Sequence, residues 1–434
     1  MVSSNSTKVL SLYRQILRFA RKWKAEDRSE AATKERLNIA AEARDRFREG
    51  SKESDPAKVE ELLKEAESRL AIAEHYNNPF ERLKYLEPQT AFSNSHCELG
   101  NEISDAGFGI NTSVSLSGFS KTEVKFARAL LAGARITDDI LKKAFGSESD
   151  SGDCNIDIFL DSGLLQDYPL KKSITRSLCK RIINYMTTRG EEASSSIYSL
   201  MASSLVEDAD FCHRIYLSRS GDGALVIREK NEALSQGTTG LSVWQAACDL
   251  ASFLSSQLLK RPRKVIELGA GCGLSGLAAA AFFPDAEITL TDYDINVLQM
   301  LQGNVDRNHM ESRVKVLPLD WTSFSMEPSF EIADLILAAD VVYDRALLPS
   351  LARVLRRLLE EGGGSSIALV ACTRRDPDTL AAFEQALDAE ELKIHERTIC
   401  DNGAFNKDGS VYTNDLFPHS STLEAPTFIY HIVA

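Results

Sequence analysis

The sequence predicts a doubly wound α/β fold in its C-terminal half, preceded by an all-α helical bundle. The α/β prediction depends on a glycine-rich turn between a short apolar strand and an Ala-rich helix, and on later apolar strands that end in polar side chains. The bundle prediction depends on apolar residues that recur at helical spacing near the N-terminus. We divide the 434 residues into a helical bundle at 1–87, a flexible linker at 88–120, a helical segment at 121–209 and the α/β domain at 210–434.

The glycine-rich turn indicates a nucleotide-like ligand. Its glycines let the backbone approach a ligand closely, beside the free N–H groups of a helix N-terminus, and they are Gly269, Gly271 and Gly273. A dinucleotide-binding turn needs another glycine three positions after Gly271, where this chain has Leu274. With Glu267 just ahead, the spacing resembles the first motif of class I S-adenosylmethionine-dependent methyltransferases.

Polar residues follow three further predicted strands, at 287–292, 313–319 and 333–339. Ligands of open α/β sheets bind beyond the carboxyl ends of the strands. Asp292 lies about twenty residues past the glycines, where a carboxylate can bind ribose hydroxyls. Asp294 is the second choice, unless it caps the next helix. The polar and aromatic residues at these strand ends are Asp292, Asp320, Trp321, Asp340 and Tyr343.

Composition narrows the range of functions. No apolar run approaches the ~20 residues of a membrane span, and a net charge of −13 argues against a general nucleic-acid binder. The eight cysteines include no Cys-x-x-Cys pair, so we expect reduced thiols and no metal site. Cys272, inside the glycine turn, is interpreted as a small packing residue rather than a nucleophile, because no histidine is near it in sequence.

Three amphipathic helices are predicted in residues 1–87. Apolar residues recur at helical spacing over 9–23, and a second helix is expected at 31–48. Asp55-Pro56 predicts the cap and first position of a third helix. Leu12-Tyr-Arg14 and Arg44-Asp-Arg-Phe47 resemble the LYR-motif family, in particular the LYR motif-containing protein 1 type.

Members of the LYR-motif family are small mitochondrial adaptors that bind the acylated acyl carrier protein. By this resemblance Arg14 and Arg44 face the acidic carrier protein, and Tyr13 and Phe47 line the tunnel for the acyl chain. A plain helical bundle with a solvated basic face is the alternative. The first 24 residues also fit a transit peptide because they are poor in acidic residues, although we prefer a bundle helix.

The middle of the chain carries no catalytic motif. Residues 88–120 are rich in Ser, Asn and Gly without periodicity, which is typical of a linker. Cys212 and His213 are adjacent, which is poor geometry for a metal site. The predicted elements are helices at 121–145, 173–185 and 195–205, and a hairpin around Gly221-Asp-Gly223.

Later motifs occur in a fixed order: Gly237-Thr-Thr-Gly-Leu241, the glycine turn, Leu319-Asp-Trp321, Ala338-Ala-Asp-Val-Val-Tyr343 and Thr373-Arg-Arg-Asp-Pro377. Together they resemble the elongation factor 2 lysine methyltransferase family, within the seven-β-strand protein-lysine methyltransferases. The resemblance covers about residues 155–434 and implies a seven-stranded sheet whose last strand, at 427–433, inserts antiparallel. Gln245 and Asp344-Arg345 depart from the family pattern, and we expect these departures to bear on substrate contacts.

The resemblance implies S-adenosylmethionine as cofactor and a lysine of translation elongation factor 2 as methyl acceptor. Because free lysine has a pKa of ~10.4, the site has to receive the amine without its proton. Asp340 and Tyr343 are expected to hold that lysine, although Asp340 alternatively caps the following helix. Trp244 either closes over the cofactor or packs in the core. The cofactor-binding residues are expected to be Trp244, Glu267, Gly269, Gly271, Gly273, Asp292, Asp320, Trp321 and Ala339.

The sequence as a whole predicts a LYR-type bundle joined to a protein-lysine methyltransferase. One alternative is a mitochondrial adaptor with an inactive methyltransferase-like domain, and another is a small-molecule methyltransferase. The methyltransferase part implies the cytoplasm, whereas the LYR part implies the mitochondrion if it governs targeting. The joining of two such parts indicates either a fusion protein or two merged reading frames.

Overall fold

The structure is a computed structural model, and the chain divides into two compact units, Met1–Asn94 and Ser95–Ala434. In the first unit it describes residues 9, 12–16, 18, 43–44, 47–48, 58–59 and 66. In the second it describes residues 108–112, 116, 119–145, 156–161, 163–205, 210–231, 238–256, 261–324, 332–362, 366–401, 403–407, 410–419 and 425–434.

The described residues of the first unit are all helical. Leu12 is buried, with 4% of its surface exposed, and Tyr13 is half-buried. The rings of Tyr13 and Phe47 are in contact, with their centroids 4.9 Å apart. Arg14 and Arg44 are exposed. The predicted three-helix bundle stays a prediction, because most of it lies outside the described residues.

The helical segment of the second unit contains more helices than predicted. The expected helix at 121–145 is two helices, interrupted at Gly133, where φ is 63°. The helices expected at 173–185 and 195–205 are confirmed, whereas two short helices before them were not predicted. The described helices are α1 Lys121–Leu131, α2 Asp138–Phe145, α3 Ile156–Leu160, α4 Leu164–Asp167, α5 Lys172–Thr188 and α6 Ser195–Ser203.

A small antiparallel sheet corrects the prediction of a flexible linker at 88–120. The predicted hairpin is β2 Phe211–Leu217 with β3 Gly223–Lys230, and β1 Ile110–Asn111 pairs with the other edge of β3. Phe108 and Leu116, on either side of β1, are buried, with 5% and 8% of their surface exposed. The linker prediction was wrong for these residues because the Ser- and Gly-rich composition concealed a few widely spaced apolar side chains.

Nine described strands form the main sheet, in the order β11-β10-β9-β12-β8-β7-β4-β5-β6. The block from β8 to β6 is parallel, and β12 inserts antiparallel between β8 and β9, as the family resemblance implied. The hairpin of β10 and β11 extends the sheet and was not predicted. The strands are β4 Lys264–Leu268, β5 Glu287–Asp292, β6 Val314–Pro318, β7 Leu335–Ala339, β8 Ile367–Thr373, β9 Lys393–Asp401, β10 Ala404–Lys407, β11 Ser410–Thr413 and β12 Thr427–Val433.

Helices cover both faces of this sheet, so successive strand residues enter two different cores. Val265 packs into one core, together with the helices at 245–254, 274–282 and 295–307. Ile266 and Leu268 pack into a second core, together with the helices at 348–361 and 377–389. Burial on both faces explains why the central strands β7 and β8 are almost continuously apolar in sequence. The helices are α7 Gln245–Leu254, α8 Leu274–Phe282, α9 Ile295–Arg307, α10 Leu348–Glu361 and α11 Pro377–Ala389.

Within the described part of the chain, every helix is too short or too polar to cross a lipid bilayer. The same residues contain no group of three or more His, Cys, Asp or Glu side chains with the geometry of a metal site.

Candidate active site

The glycine turn joins β4 to α8 in a conformation that only glycine adopts easily. Gly269, Gly271 and Gly273 have φ of 63°, 55° and 85°, in the left-handed region that L side chains rarely occupy. A Cβ on Gly273 would lie 2.4 Å from Cδ1 of Leu301, and one on Gly271 would lie 3.1 Å from the carbonyl oxygen of Gly240. The missing Cβ atoms therefore let this turn, at the carboxyl edge of the sheet, pack closely against Gly240 and Leu301.

Glu267, the fourth residue of β4, accepts a hydrogen bond from the first turn of α8 in place of an N-cap side chain. The N-cap of α8 is Gly273, which has no side chain, and Oε2 of Glu267 accepts a hydrogen bond of 2.9 Å from the N–H of Gly276. Only 1% of Glu267 is exposed, and burial raises the pKa of its carboxyl to about 8. In this structure Glu267 therefore orients the turn by holding the first turn of its helix.

Asp292, at the end of β5, binds the opposite side of the glycine turn. Its Oδ2 accepts a hydrogen bond of 3.0 Å from the N–H of Gly271, and its Oδ1 accepts 2.8 Å and 3.2 Å bonds from the N–H groups of Tyr293 and Asp294. Burial raises the pKa of this carboxyl above its ordinary value. Asp294, the second candidate, caps α9 through the N–H groups of Asn296 and Val297 instead.

Trp321 borders the same turn from the loop after β6. A Cβ on Gly269 would lie 3.2 Å from Cζ2 of Trp321 and 2.9 Å from Cγ1 of Val341. Asp320 accepts hydrogen bonds from the backbone N–H and the hydroxyl of Thr322, at 2.8 Å and 2.7 Å, and these bonds lower the pKa of its carboxyl. The aromatic face, rather than Asp320, is therefore the feature that contacts the turn.

Residues 238–244, the covering loop, lie against the glycine turn. The thiol of Cys272 is 3.5 Å from the carbonyl oxygen of Gly240, and burial raises its pKa well above the ordinary value, which supports the packing interpretation of Cys272. The indole Nε1 of Trp244 donates a 2.9 Å hydrogen bond to the carbonyl oxygen of Thr239. Trp244 thus closes the covering loop on itself, and its contact with a cofactor stays a prediction.

Asp340 follows β7 with φ of 53°, and its carboxylate is turned inward, with 6% of the side chain exposed. Oδ2 accepts a 3.2 Å hydrogen bond from the N–H of Ala246, at the start of α7, and forms a 3.0 Å ion pair with Arg375. Oδ1 accepts from the N–H of Thr373 at 3.1 Å. Asp340 does not cap α10, whose N-cap is Leu347. A direct contact between Asp340 and a substrate lysine stays a prediction.

Arg375 is a site residue whose role was not predicted from the sequence, although it belongs to the Thr373-Arg-Arg-Asp-Pro377 motif. Its guanidinium pairs with Asp340 and also lies 5.0 Å from the ring centroid of Trp244. The guanidinium thereby connects the end of β7 with the covering loop.

Tyr343 remains open to solvent at the mouth of the site. It is 40% exposed, and its phenol has a raised pKa because it is partly desolvated, with a hydrogen bond to Thr239 of the covering loop opposing that shift. The carboxylates of Asp292 and Asp344 also raise this pKa, which places the hydroxyl within electrostatic range of the ribose-binding candidate. Glycine turn, covering loop, Asp292 and Tyr343 therefore meet at one edge of the sheet.

Comparison with known proteins agrees with this geometry. A family model described as lysine methyltransferase matches residues 222–389. Protein-lysine N-methyltransferase EEF2KMT of Mus musculus is 35% identical over 45% of this chain and 63% of its own length, and the Bos taurus protein of the same name is 30% identical over 54% and 77%. The chain belongs to this lysine methyltransferase family. Its cofactor is accordingly S-adenosylmethionine.

The N-terminal unit of this lysine methyltransferase matches a different family. A model of the complex 1 LYR protein family matches residues 7–72. LYR motif containing protein 1 of Danio rerio is 43% identical over 18% of this chain and 69% of its own length. The lysine methyltransferase therefore carries a LYR-family module ahead of its catalytic unit.

Proposed function

We propose that this chain transfers methyl groups from S-adenosylmethionine to a lysine of translation elongation factor 2. The observation that carries the proposal is the meeting of the glycine turn, Asp292 and an exposed Tyr343 at one edge of the sheet, in a chain of the lysine methyltransferase family. The relatives' names support lysine as the acceptor. Elongation factor 2 follows from the resemblance of the motifs.

The cofactor fits the edge that these residues form. The glycine turn lies at the carboxyl edge of the sheet, where ligands of such sheets bind, and the carboxyl of Asp292 is held beside it. Trp321, next to Gly269, offers an aromatic ring for a base. When bound, S-adenosylmethionine supplies a methyl group already activated on a positive sulfur. We assign to this pocket Trp244, Glu267, Gly269, Gly271, Gly273, Asp292, Asp320, Trp321 and Ala339.

Methyl transfer forms a bond between the lysine Nζ and the methyl carbon while the carbon–sulfur bond breaks. The lysine nitrogen therefore has to keep its lone pair free and in line with that bond. With its raised pKa, the phenol of Tyr343 stays protonated at neutral pH, and its oxygen can accept a hydrogen bond from the incoming neutral amine. Asp340 supports this arrangement by holding the backbone at 340–343 against α7 and Arg375.

The direct test is methyl transfer from labelled S-adenosylmethionine to purified elongation factor 2. We expect label on one lysine of the factor with the wild-type chain, and a large loss of label with Tyr343→Phe. Binding of S-adenosylhomocysteine without any transfer would remove elongation factor 2 as the substrate and leave the methyltransferase assignment in place. Absence of both binding and transfer would favour the alternative adaptor with an inactive methyltransferase-like domain.

For the N-terminal unit we propose binding of an acyl carrier protein, the partner class that the LYR resemblance implies. The exposed guanidinium groups of Arg14 and Arg44 are suited to an acidic carrier, and the ring pair of Tyr13 and Phe47 is suited to an acyl chain. If this partner governs targeting, the protein would be found in mitochondria instead of the cytoplasm, which cell fractionation tests.

The acyl carrier proposal is tested by co-purification with acylated mitochondrial acyl carrier protein. Reversing the charge in Arg14→Glu and Arg44→Glu should abolish capture at physiological salt. Lys58→Glu, a reversal at another exposed helical residue, is the matched control and should retain the carrier. Equal capture by all variants would contradict the proposal.

A further inference from the structure

Asn304 is a buried polar residue of α9 whose side-chain amide is fully used. None of its surface is exposed. Its Nδ2 donates to the carbonyl oxygens of Arg228 at 3.0 Å and Cys272 at 2.9 Å, and its Oδ1 accepts from the N–H of Arg228 and a guanidinium N–H of Arg307, both at 2.9 Å. An amide has two donor hydrogens and two acceptor lone pairs, so all four are satisfied within the described structure.

Asn308, one helical turn later, makes a parallel set of bonds. It is also fully buried, and its amide donates to the carbonyl oxygens of Val226 and Asn304, both at 2.8 Å, while accepting from the N–H of Val226 at 2.8 Å. Residues four apart lie on one helix face, and residues two apart share one strand edge. The two asparagines therefore complete the edge of β3 beyond the point where β1 ends.

Only Asn304 also contacts the glycine turn. The carbonyl of Cys272 lies between Gly271 and Gly273, whose positive φ values define the turn. The far end of β3 supports the covering loop, because the N–H of Lys230 donates to Leu241 at 2.8 Å and Oε2 of Glu229 accepts from Val243 at 2.8 Å. The side-chain amide of Asn304 thus joins β3, which supports the covering loop, to the glycine turn.

We propose that Asn304 is a positioning residue for the cofactor pocket, acting through the carbonyl of Cys272 to hold the glycine turn in register with β3 and the covering loop. This inference rests on the proposed function, since it requires that the glycine turn binds S-adenosylmethionine. Asn304 does not touch the reacting atoms, so it affects cofactor affinity and leaves the chemical step unchanged.

The experiment compares Asn304→Asp with Asn308→Asp, which have nearly the same shape as the wild-type side chains but lack the amide donors. Both lose two bonds to carbonyl oxygens, and only Asn304→Asp releases the glycine turn. We expect the dissociation constant for S-adenosylhomocysteine to rise about tenfold in Asn304→Asp, the effect of one lost buried hydrogen bond. In Asn308→Asp it should change by less than about twofold. The KM for S-adenosylmethionine should follow this pattern, with kcat preserved in both variants.

Equal losses of affinity in the two variants would overturn the inference. No binding of S-adenosylhomocysteine by the wild-type chain would instead overturn the proposed function, and the inference with it. If either variant fails to fold, hydrogen exchange on the wild-type chain decides. S-adenosylhomocysteine should then slow exchange in the peptide 223–231, which holds the Arg228 amide, and leave 393–401 unchanged. No added protection in 223–231 would contradict the inference.

Discussion

At the scale of single residues, the buried carboxyl groups of this site mainly hold backbone N–H groups. Glu267 holds the start of α8, Asp292 holds Gly271, and Asp340 holds the start of α7 and the end of β8. Three of the parallel strands thus carry, at or near their carboxyl ends, an acidic side chain that fixes the adjoining loop or helix. The chemistry of the site depends on this fixed backbone, because precise alignment of two reacting atoms is the main requirement of methyl transfer.

The buried carboxyl of Glu267 predicts a specific pH dependence of stability. Its folded pKa of about 8 lies above the ordinary 4.5, so the folded state holds a proton that the unfolded chain has lost. Stability should therefore fall as pH rises from about 4.5 to about 8, by at most about 1.4 kcal/mol per pH unit. Glu267→Gln keeps an acceptor for Gly276 and should remove this dependence. Melting temperatures of both proteins between pH 5.5 and pH 8.5 test it, and parallel curves would contradict it.

Substitution of Tyr343 should mainly lower activity, whereas substitution of Asp340 should mainly lower stability. Tyr343→Phe should lower kcat by roughly tenfold to a hundredfold, the effect of one hydrogen bond lost from the aligned amine. It should change the free energy of unfolding by less than about 0.5 kcal/mol, since the side chain is 40% exposed. Asp340→Asn should cost about 3 kcal/mol of stability, because it leaves Arg375 without its buried counter-charge.

Tyr293→Phe is the control for this comparison, since Tyr293 is also near the mouth of the site but 75% exposed. It should match the wild type in both activity and stability. The assignment of roles fails if Tyr343→Phe retains full kcat, or if Asp340→Asn unfolds at the wild-type urea concentration.

At the scale of elements, glycines serve different purposes in the turn and in α9. Gly271 has φ of 55°, and a Cβ there would press on the covering loop, whereas Gly303 lies inside α9 with nothing within 4 Å of its would-be Cβ. Gly271→Ala should therefore raise the dissociation constant for S-adenosylhomocysteine about tenfold or more, since the left-handed backbone alone costs about 1–2 kcal/mol.

Gly303→Ala should be favourable, unlike Gly271→Ala, because alanine is more stable than glycine in a helix interior. We expect it to stabilise the protein by about 0.5–1 kcal/mol with unchanged cofactor affinity. Urea unfolding and calorimetric titration of the two variants measure both effects. A destabilised Gly303→Ala, or a Gly271→Ala that binds normally, would show that the turn and helix are organised differently.

At the scale of the whole molecule, the catalytic unit begins earlier in the chain than its first helix. Phe108 packs against Phe282 and Phe417, with ring centroids 5.8 Å and 6.4 Å apart, and β1 pairs with β3. Phe108 and β1, both ahead of α1, therefore belong to the folded unit Ser95–Ala434.

Truncation tests this boundary. The fragment 95–434 should fold and bind S-adenosylhomocysteine as the full chain does, whereas the fragment 121–434 should melt at a markedly lower temperature or aggregate. Loss of a buried phenylalanine alone costs about 3–5 kcal/mol. The melting temperature of Phe108→Ala in the longer fragment should lie between those of the two fragments. Equal stability of both fragments would show that residues 108–120 do not stabilise the unit and serve as a linker.

Much of the fold could be predicted from the sequence, because local residue patterns determine the turns and strands concerned. The glycines at 269, 271 and 273 predicted a sharp turn, and all three have positive φ. The apolar runs of β7 and β8 are typical of a parallel sheet buried on both faces. The position of Asp292 after the next strand follows from the same α/β pattern. The predicted hairpin and the antiparallel strand at 427–433 are likewise confirmed.

Only the tertiary structure decided which distant groups each polar side chain meets. The partners of Asp340 come from α7, β8 and the loop after β8, and those of Asn304 come from β3 and the glycine turn. Neither set follows from local spacing, because the residues are far apart in the chain. The strand at 110–111 was missed for the same reason, since two residues have no periodicity and gain their structure from the edge of β3. Sequence alone thus determined the fold class and the glycine turn, whereas long-range hydrogen bonding determined how the site is held together.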